Sequence, residues 1–328
     1  MRPRTARRRA QVAGLRLRAA PGNVQPMLIV FLLSAQAAAA QAAGERAPDP
    51  RTPAEIVAAA PAREWVAVPQ EELVVMELAP EQGGAVRRVV IQLMPAPFAQ
   101  PWIGNIRGLV ATRWWDGTSV NRVQDNYVVQ WGDATEKKPL PPTLSRTTDR
   151  DYAVDLAALP ADERAPGPKD VYAPATYFYR GWPIAADARQ AWPVHCYGMV
   201  GVGRNVAPDA GTGAELYAVI GHAPRHLDRN IAVVGRVVEG MEQLASLKRG
   251  TEPLGFYAQA AERVPIVRVR LAADLPPGEQ PRFEYLSTAG DSWARYAGAR
   301  ANRQDDFFIR PAGAVDICNL PVPVRRAP

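Results

Sequence analysis

Hydrophobic and polar positions alternate with a period of two over several short stretches of this chain, and most stretches end near Gly, Pro, Asn or Asp. Glu72–Leu78 (ELVVMEL) and Arg88–Leu93 (RVVIQL) read as two strands, with Gly83-Gly84 as a turn between them. Tyr127–Trp131 (YVVQW), Ala214–Ile220 (AELYAVI) and Ile231–Val238 (IAVVGRVV) predict three more, and Val264, Ile266, Val267, Val269 and Leu271 trace another. Asp116-Gly117 marks a tight turn between two strand-like runs, and Gly132-Asp133 closes the second. Helical spacing is confined to two places. One is Trp102, Ile106, Leu109 and Val110, weakened by Gly104 and Gly108; the other is Met241, Leu244, Ala245 and Leu247, with Gly250 placed to stop it. Many short strands with only two helices predict a mainly β fold, a closed antiparallel barrel. The 32 prolines and 25 glycines among 328 residues agree with many turns and argue against a helical bundle.

Three segments fall outside this pattern. Residues 41–63, rich in Ala, Pro and charge, predict a flexible linker. Residues 134–194 are studded with proline from Pro139 to Pro193 and follow no regular period, which predicts a long insertion, functional or a decorated connection. From about Asp274 the chain is polar, Pro-rich and aromatic. The barrel domain is therefore placed at 64–273 with the insertion inside it, and 274–328 becomes a C-terminal extension packed on the barrel.

Charge changes the picture at the N-terminus. The formal net charge is +6, yet residues 1–40 hold seven arginines and no acid; removing those from the 39 basic residues leaves 32 against 33 acidic ones. The rest of the chain is nearly neutral, so nucleic-acid binding loses its main support. The leader has an Arg-rich region, the apolar run Met27–Leu33 and the small residues Ala38–Ala42, the three parts of a secretory signal. The run is too short to span a bilayer, so residues 1–40 predict a cleaved signal peptide, no stable membrane insertion afterwards, and a periplasmic or secreted protein. Cys196 and Cys318 then form an even pair in an oxidising compartment and predict a disulfide tying the C-terminal extension to the centre of the chain.

The stretch Trp114–Asp133 (WWDGTSVNRVQDNYVVQWGD) is the most informative. A cation fixed among apolar and amide side chains is costly unless it has a task or a partner, which directs attention to Arg122. Asp116-Gly117-Thr118, Val120-Asn121-Arg122 and Tyr127-Val128-Val129-Gln130-Trp131-Gly132-Asp133 resemble the D-G-T, F-H-R and F-M-x-Q-G-G-D blocks of cyclophilin-type peptidyl-prolyl isomerases, with the same spacing from Arg to Gln and Asp. A second block agrees in order: Gly198-Met199, Gly213–Tyr217, Leu227-Asp228 and Val234–Met241 (VGRVVEGM). The resemblance covers about residues 86–250. It implies an eight-stranded antiparallel barrel capped by two helices, a groove that takes proline-containing polypeptides, no cofactor and no metal. Arg122 takes the place of the catalytic arginine and Gln130 that of the substrate-binding glutamine. Tyr127, Val128 and Leu227 match apolar positions of a proline pocket, and Tyr217 matches an aromatic one. Asn121 stands where the family has histidine, Val120 where it has phenylalanine, Trp131 where it has glycine, and Glu215 where it has glutamine. Asn121 and Glu215 thereby join the expected substrate-binding set. These changes bear on activity and preference more than on fold.

The expected function is acceleration of X-Pro bond rotation in exported proteins by a monomer, with a catalytically weak peptide-binding or chaperone module as the alternative. Arg122 has a structural alternative, an ion pair with Asp125 or Glu215, and Gln130 has one as a satisfied barrel amide. His195, His222 and His226 lack the neighbouring ligands of a metal site and read as ordinary polar histidines. Gly198, Gly201, Gly203 and Arg204 lack phosphate-loop spacing, and no G-x-S-x-G elbow is present.

Overall fold

The alternating stretches pair into one closed sheet. A computed structural model describes residues 51–81 and 84–328, so the predicted signal peptide and residues 41–50 of the predicted linker lie outside the described residues. The barrel strands are β1 (Leu73–Leu78), β2 (Arg87–Leu93), β3 (Ser119–Val123), β4 (Val128–Gly132), β5 (Met199–Val202), β6 (Leu216–Val219), β7 (Val233–Glu239) and β8 (Val264–Leu271). They run β5-β6-β4-β3-β8-β1-β2-β7 around the barrel, and β7 closes on β5, every pair antiparallel. Closure leaves no free sheet edge. The helices are α1 (Pro53–Ala58), α2 (Gln100–Ala111), α3 (Met241–Ala245) and α4 (Asp291–Ala301).

The lumen is packed with side chains. Trp115 and Trp131 are fully buried and meet Val74, Ile91, Leu216 and Ile106 of α2 around a residual space of about 10 Å³. Trp131, where the resembling family has glycine, is thus a core residue. Trp114 and Trp115 are not strand residues, contrary to the strand-like reading. They form the turn that ends α2, with Trp114 N–H donating to Leu109 O at 2.9 Å and Trp115 Nε1–H donating to Ala214 O at 2.8 Å. Aromatic residues filling a lumen from a turn carry the same composition signal as a strand.

The insertion is not structureless. It holds a five-stranded antiparallel sheet in the order Val154–Asp155, Gln190–Pro193, Trp182–Ala186, Ala175–Tyr179, Arg164–Pro166. Its central hairpin turns at Arg180-Gly181, both with positive φ (48° and 77°), the backbone of a two-residue hairpin turn. All five residues of Trp182–Ala186 are buried, and Phe178 of the neighbouring strand packs edge-on against Trp293 of α4 at 4.7 Å. Burial on both faces erases alternation, which is why a period-two search misses this strand.

Residues 51–63 of the expected linker carry a helix, and the C-terminal extension carries strands and a helix of its own. Thr52 and Glu55 form a capping box on α1, with Pro53 at its first turn. Trp65–Ala67, Phe283–Leu286 and Val324–Arg326 form a three-stranded sheet joining both ends of the described chain. Cys196, just after the insertion, is disulfide-bonded to Cys318. No helix among the described residues is long and apolar enough to cross a membrane.

Candidate active site

Strand pleating sorts each barrel residue to the lumen or the outside. On β4, Val129 and Trp131 face the core while Val128 and Gln130 face outward; on β6, Leu216 and Ala218 go in while Tyr217 and Val219 go out. β3 carries a bulge between Val120 and Arg122, so Val120 pairs with Trp131 and Arg122 pairs with Gln130. The extra residue, Asn121, is absorbed there, and Arg122 is turned onto the outer face. Gln130 in turn pairs with Tyr217, so Arg122, Gln130 and Tyr217 form a row across three strands.

Arg122 is held by neutral groups. Its Nε–H donates to Leu254 O at 2.7 Å, Nη1 to Gln130 Oε1 at 3.1 Å, and Nη2 to Gln124 Oε1. The Tyr127 and Phe256 rings lie 5.8 and 5.5 Å from its guanidinium carbon. Neither acid of the structural alternative pairs with it: Asp125 bonds Arg249 at 2.9 Å, and Glu215 is bonded by Gln130, Asn121 and the Asp133 backbone. Burial draws the Arg122 pKa below its ordinary value, yet a guanidinium stays charged at any working pH. The result is a half-buried cation with no ion-pair partner among the described residues and, of its five N–H donors, only three used.

Beside it lies an apolar cluster. Val128, Tyr217 and Val219 form a small buried cluster separate from the core, and Tyr127, Leu227 and Ile231 pack on it. Leu227 comes from the short helix Arg225–Leu227, and the His226 ring stacks on Tyr127 at 6.4 Å. On the other side of Gln130 is a cavity of about 370 Å³ whose lining includes Asn121, Gln130, Gly203, Glu215 and Phe256. Asn121 is buried and its Oδ1, shielded from solvent, has no hydrogen-bond partner. Glu215 has its pKa raised by burial, an effect its hydrogen bonds moderate.

The structure therefore brings Arg122, Gln130, Tyr127, Val128, Tyr217, Leu227, Asn121 and Glu215 onto one outer face. Sequence reasoning missed Gln124, Leu254 and Phe256. The first two act through an amide and a backbone carbonyl, and Phe256 arrives on a loop beyond the family-like blocks. His195 is not an ordinary polar histidine either: it is fully buried, with Asp228 and Tyr217 as partners. Among the described residues no group of three His, Cys, Asp or Glu side chains could hold a metal ion.

A closed antiparallel barrel with a cation, an amide, an apolar cluster and a cavity on its outer face defines a barrel protein with a surface groove. The sequence profile of the cyclophilin type peptidyl-prolyl cis-trans isomerase/CLD family matches residues 88–271, and the chain belongs to this family of peptidyl-prolyl isomerases. The match runs past the expected limit near residue 250 to the end of β8. Among solved structures, the cyclophilin AquaCyp293 from Hirschia baltica is similar over 80% of this chain and 93% of its own, with 22% identity and a TM-score of 0.58. A cyclophilin type isomerase from Cryptosporidium parvum, crystallised in the presence of the dipeptide Ala-Pro, aligns over 61% of this chain and 98% of its own, with 11% identity and a TM-score of 0.37. No curated protein matches the chain in sequence.

Proposed function

We propose that the protein accelerates rotation about X-Pro bonds in exported polypeptides, with Arg122 as the catalytic residue. The observation that carries this reading is an Arg122 guanidinium held by three neutral acceptors beside the apolar Val128–Tyr217–Val219 cluster. An X-Pro bond rotates over a barrier of roughly 18–20 kcal/mol because amide resonance must be broken. In the twisted state the proline nitrogen regains its lone pair and accepts a hydrogen bond that the planar states cannot. A fixed N–H donor of Arg122 aimed there binds the twisted state better than either planar one, which is the condition for catalysis. An acid paired with Arg122 would compete for that donor; Gln124 and Gln130 hold it without neutralising it. The apolar cluster takes the pyrrolidine ring, while Gln130 Nε2 is suited to the peptide backbone.

Export is supported by the Arg-rich leader with its apolar run and by the Cys196–Cys318 bridge, which persists in an oxidising compartment. The clients are then envelope or secreted proteins, met by a monomer. The test is cis/trans exchange of a proline peptide measured by NMR for the wild type and Arg122→Ala. Loss of one such donor lowers the rate by about 10²–10³-fold. The variant should retain peptide binding while losing exchange. Equal and negligible exchange by both proteins would overturn the enzyme reading and leave the peptide-binding module.

A further inference from the structure

The insertion reaches the proposed proline pocket through an unbroken, buried run of polar contacts. At the far end, Asp170 accepts two hydrogen bonds from Arg225, Nη1 to Oδ1 at 3.0 Å and Nη2 to Oδ2 at 2.6 Å. Arg225 Nε–H donates to Asp228 Oδ2 at 2.7 Å. Asp228 Oδ1 accepts the His195 backbone N–H at 3.0 Å and faces His195 Nδ1 at the same distance. His195 Nε2 then meets the Tyr217 hydroxyl at 3.0 Å. Asp228, ion-paired with Arg225, offers only acceptors, which assigns the ring hydrogen to Nδ1. Nε2 is left to accept from the Tyr217 hydroxyl, which keeps its proton because burial drives its pKa well above the ordinary phenol value.

Every group in this run is shielded from water. His195 is 0% exposed, and the Arg225 and Asp170 side chains are 3% and 2% exposed, so a broken contact leaves a buried polar atom without a partner. The insertion grips the same pocket wall twice more. The Tyr172 ring lies 4.8 Å from the Arg225 guanidinium carbon, and the Trp192 ring lies 4.3 Å from that of Arg229. Leu227 and Ile231, which pack on the pocket, sit on the segment held in this way.

We propose that Asp170 and His195, acting through Arg225 and Asp228, are positioning residues that set the pocket by fixing the Tyr217 ring and the 224–231 segment. The insertion thereby tunes affinity for proline peptides. This inference rests on the reading of the outer face as a proline pocket. Pocket walls pack on the pyrrolidine ring in planar and twisted states alike, so loosening them weakens binding without changing the rate of the bound peptide. Arg122 has the opposite signature.

The experiment uses the full-length protein and an Ala-Pro-containing tetrapeptide, with Kd from NMR titration and the saturated exchange rate from exchange spectroscopy. Asp170→Asn and His195→Leu should each raise Kd about threefold to tenfold, as for coupled hydrogen-bond networks. The saturated exchange rate should stay within about twofold, since uniform binding is what is lost. His195→Gln, which offers an amide N–H in place of Nδ1–H and an amide oxygen in place of Nε2, should restore most of the affinity. In a Tyr217→Phe background, Asp170→Asn should raise Kd less than it does in the wild type, because only its hold on the 224–231 segment is then left to lose. Additive effects in that double-mutant cycle would overturn the proposal, as would an unchanged Kd in Asp170→Asn or a reduced saturated rate with unchanged Kd. If His195→Leu fails to fold, the Asp170–Tyr217 cycle decides. A wild type that binds peptide without exchanging it refutes the Arg122 reading, and the Kd cycle still decides the inference; absence of any peptide binding overturns both.

Discussion

Breaking the Cys196–Cys318 bridge should cost stability without disturbing the native contacts. The bridged residues are 122 apart in sequence, and closing a loop of that length removes about 5 kcal/mol of chain entropy from the unfolded state. The folded C-terminal segment has other anchors. Ile317, Leu320 and Val322 are buried, Tyr296 donates to Pro321 O at 2.8 Å, and Arg325 and Arg326 pair with Glu284 and Glu239. The paired Cys196→Ser/Cys318→Ser variant should therefore fold as the wild type does and differ mainly in its unfolded ensemble. For a domain of this size the loss amounts to a fall in melting temperature on the order of 10 °C. Calorimetry with and without reductant, on wild type and paired variant, provides the assay. Reductant should move the wild type down to the variant's midpoint and leave the variant unmoved. A wild-type shift below about 2 °C would refute the loop-entropy argument, because it is too small for a closure of this length. Intact mass after alkylation checks that both sulfurs were bridged beforehand.

Glu215→Gln should stabilise the protein at neutral pH: burial raises the carboxyl pKa above its unfolded value of 4.5, so the wild type loses stability as pH rises through the interval between the two. Denaturant titrations at pH 7 and pH 3.5 should show the variant's advantage at the first and its disappearance at the second; an equal advantage at both would contradict the burial argument. Gly255→Ala should slow exchange with little effect on peptide Kd, because Gly255 has φ +82° and an added Cβ would fall 2.6 Å from Gln124 Cα, displacing the Leu254 carbonyl that holds Arg122. A wild-type rate in that variant would show that the carbonyl is dispensable. Trp131→Ala should lower stability by about 3–5 kcal/mol in chemical denaturation, as expected for emptying a packed lumen, and a loss under about 1 kcal/mol would show that the barrel collapses around the gap.

The barrel strands were legible because each has one face in the lumen and one outside, so β4 and β6 alternate in plain view. The site was legible as far as a side chain announces its task at a fixed spacing, which holds for Arg122 and Gln130. What holds Arg122 was not. Leu254 contributes a backbone oxygen that no side-chain pattern encodes, and Phe256 bridges to β3 from a distant loop. The insertion sheet stayed hidden because Trp182–Ala186 is buried throughout and carries Pro183, two features that mask a strand. His195 was set aside because its partners, Asp228 and Tyr217, lie far from it in sequence.

The barrel's seams have a consequence for how the chain must be made. β1 and β2 are the first barrel strands to be written, yet one partner of each, β8 and β7, is among the last, and Trp65–Ala67 waits for Phe283–Leu286. During synthesis the early strands can pair with each other, but the sheet cannot close on itself until nearly the whole chain is present. Such non-local pairing folds slowly and leaves strand edges open in the meantime. A nascent barrel of this kind passes through a long interval as an open sheet, prone to pairing with strangers until its last strand arrives.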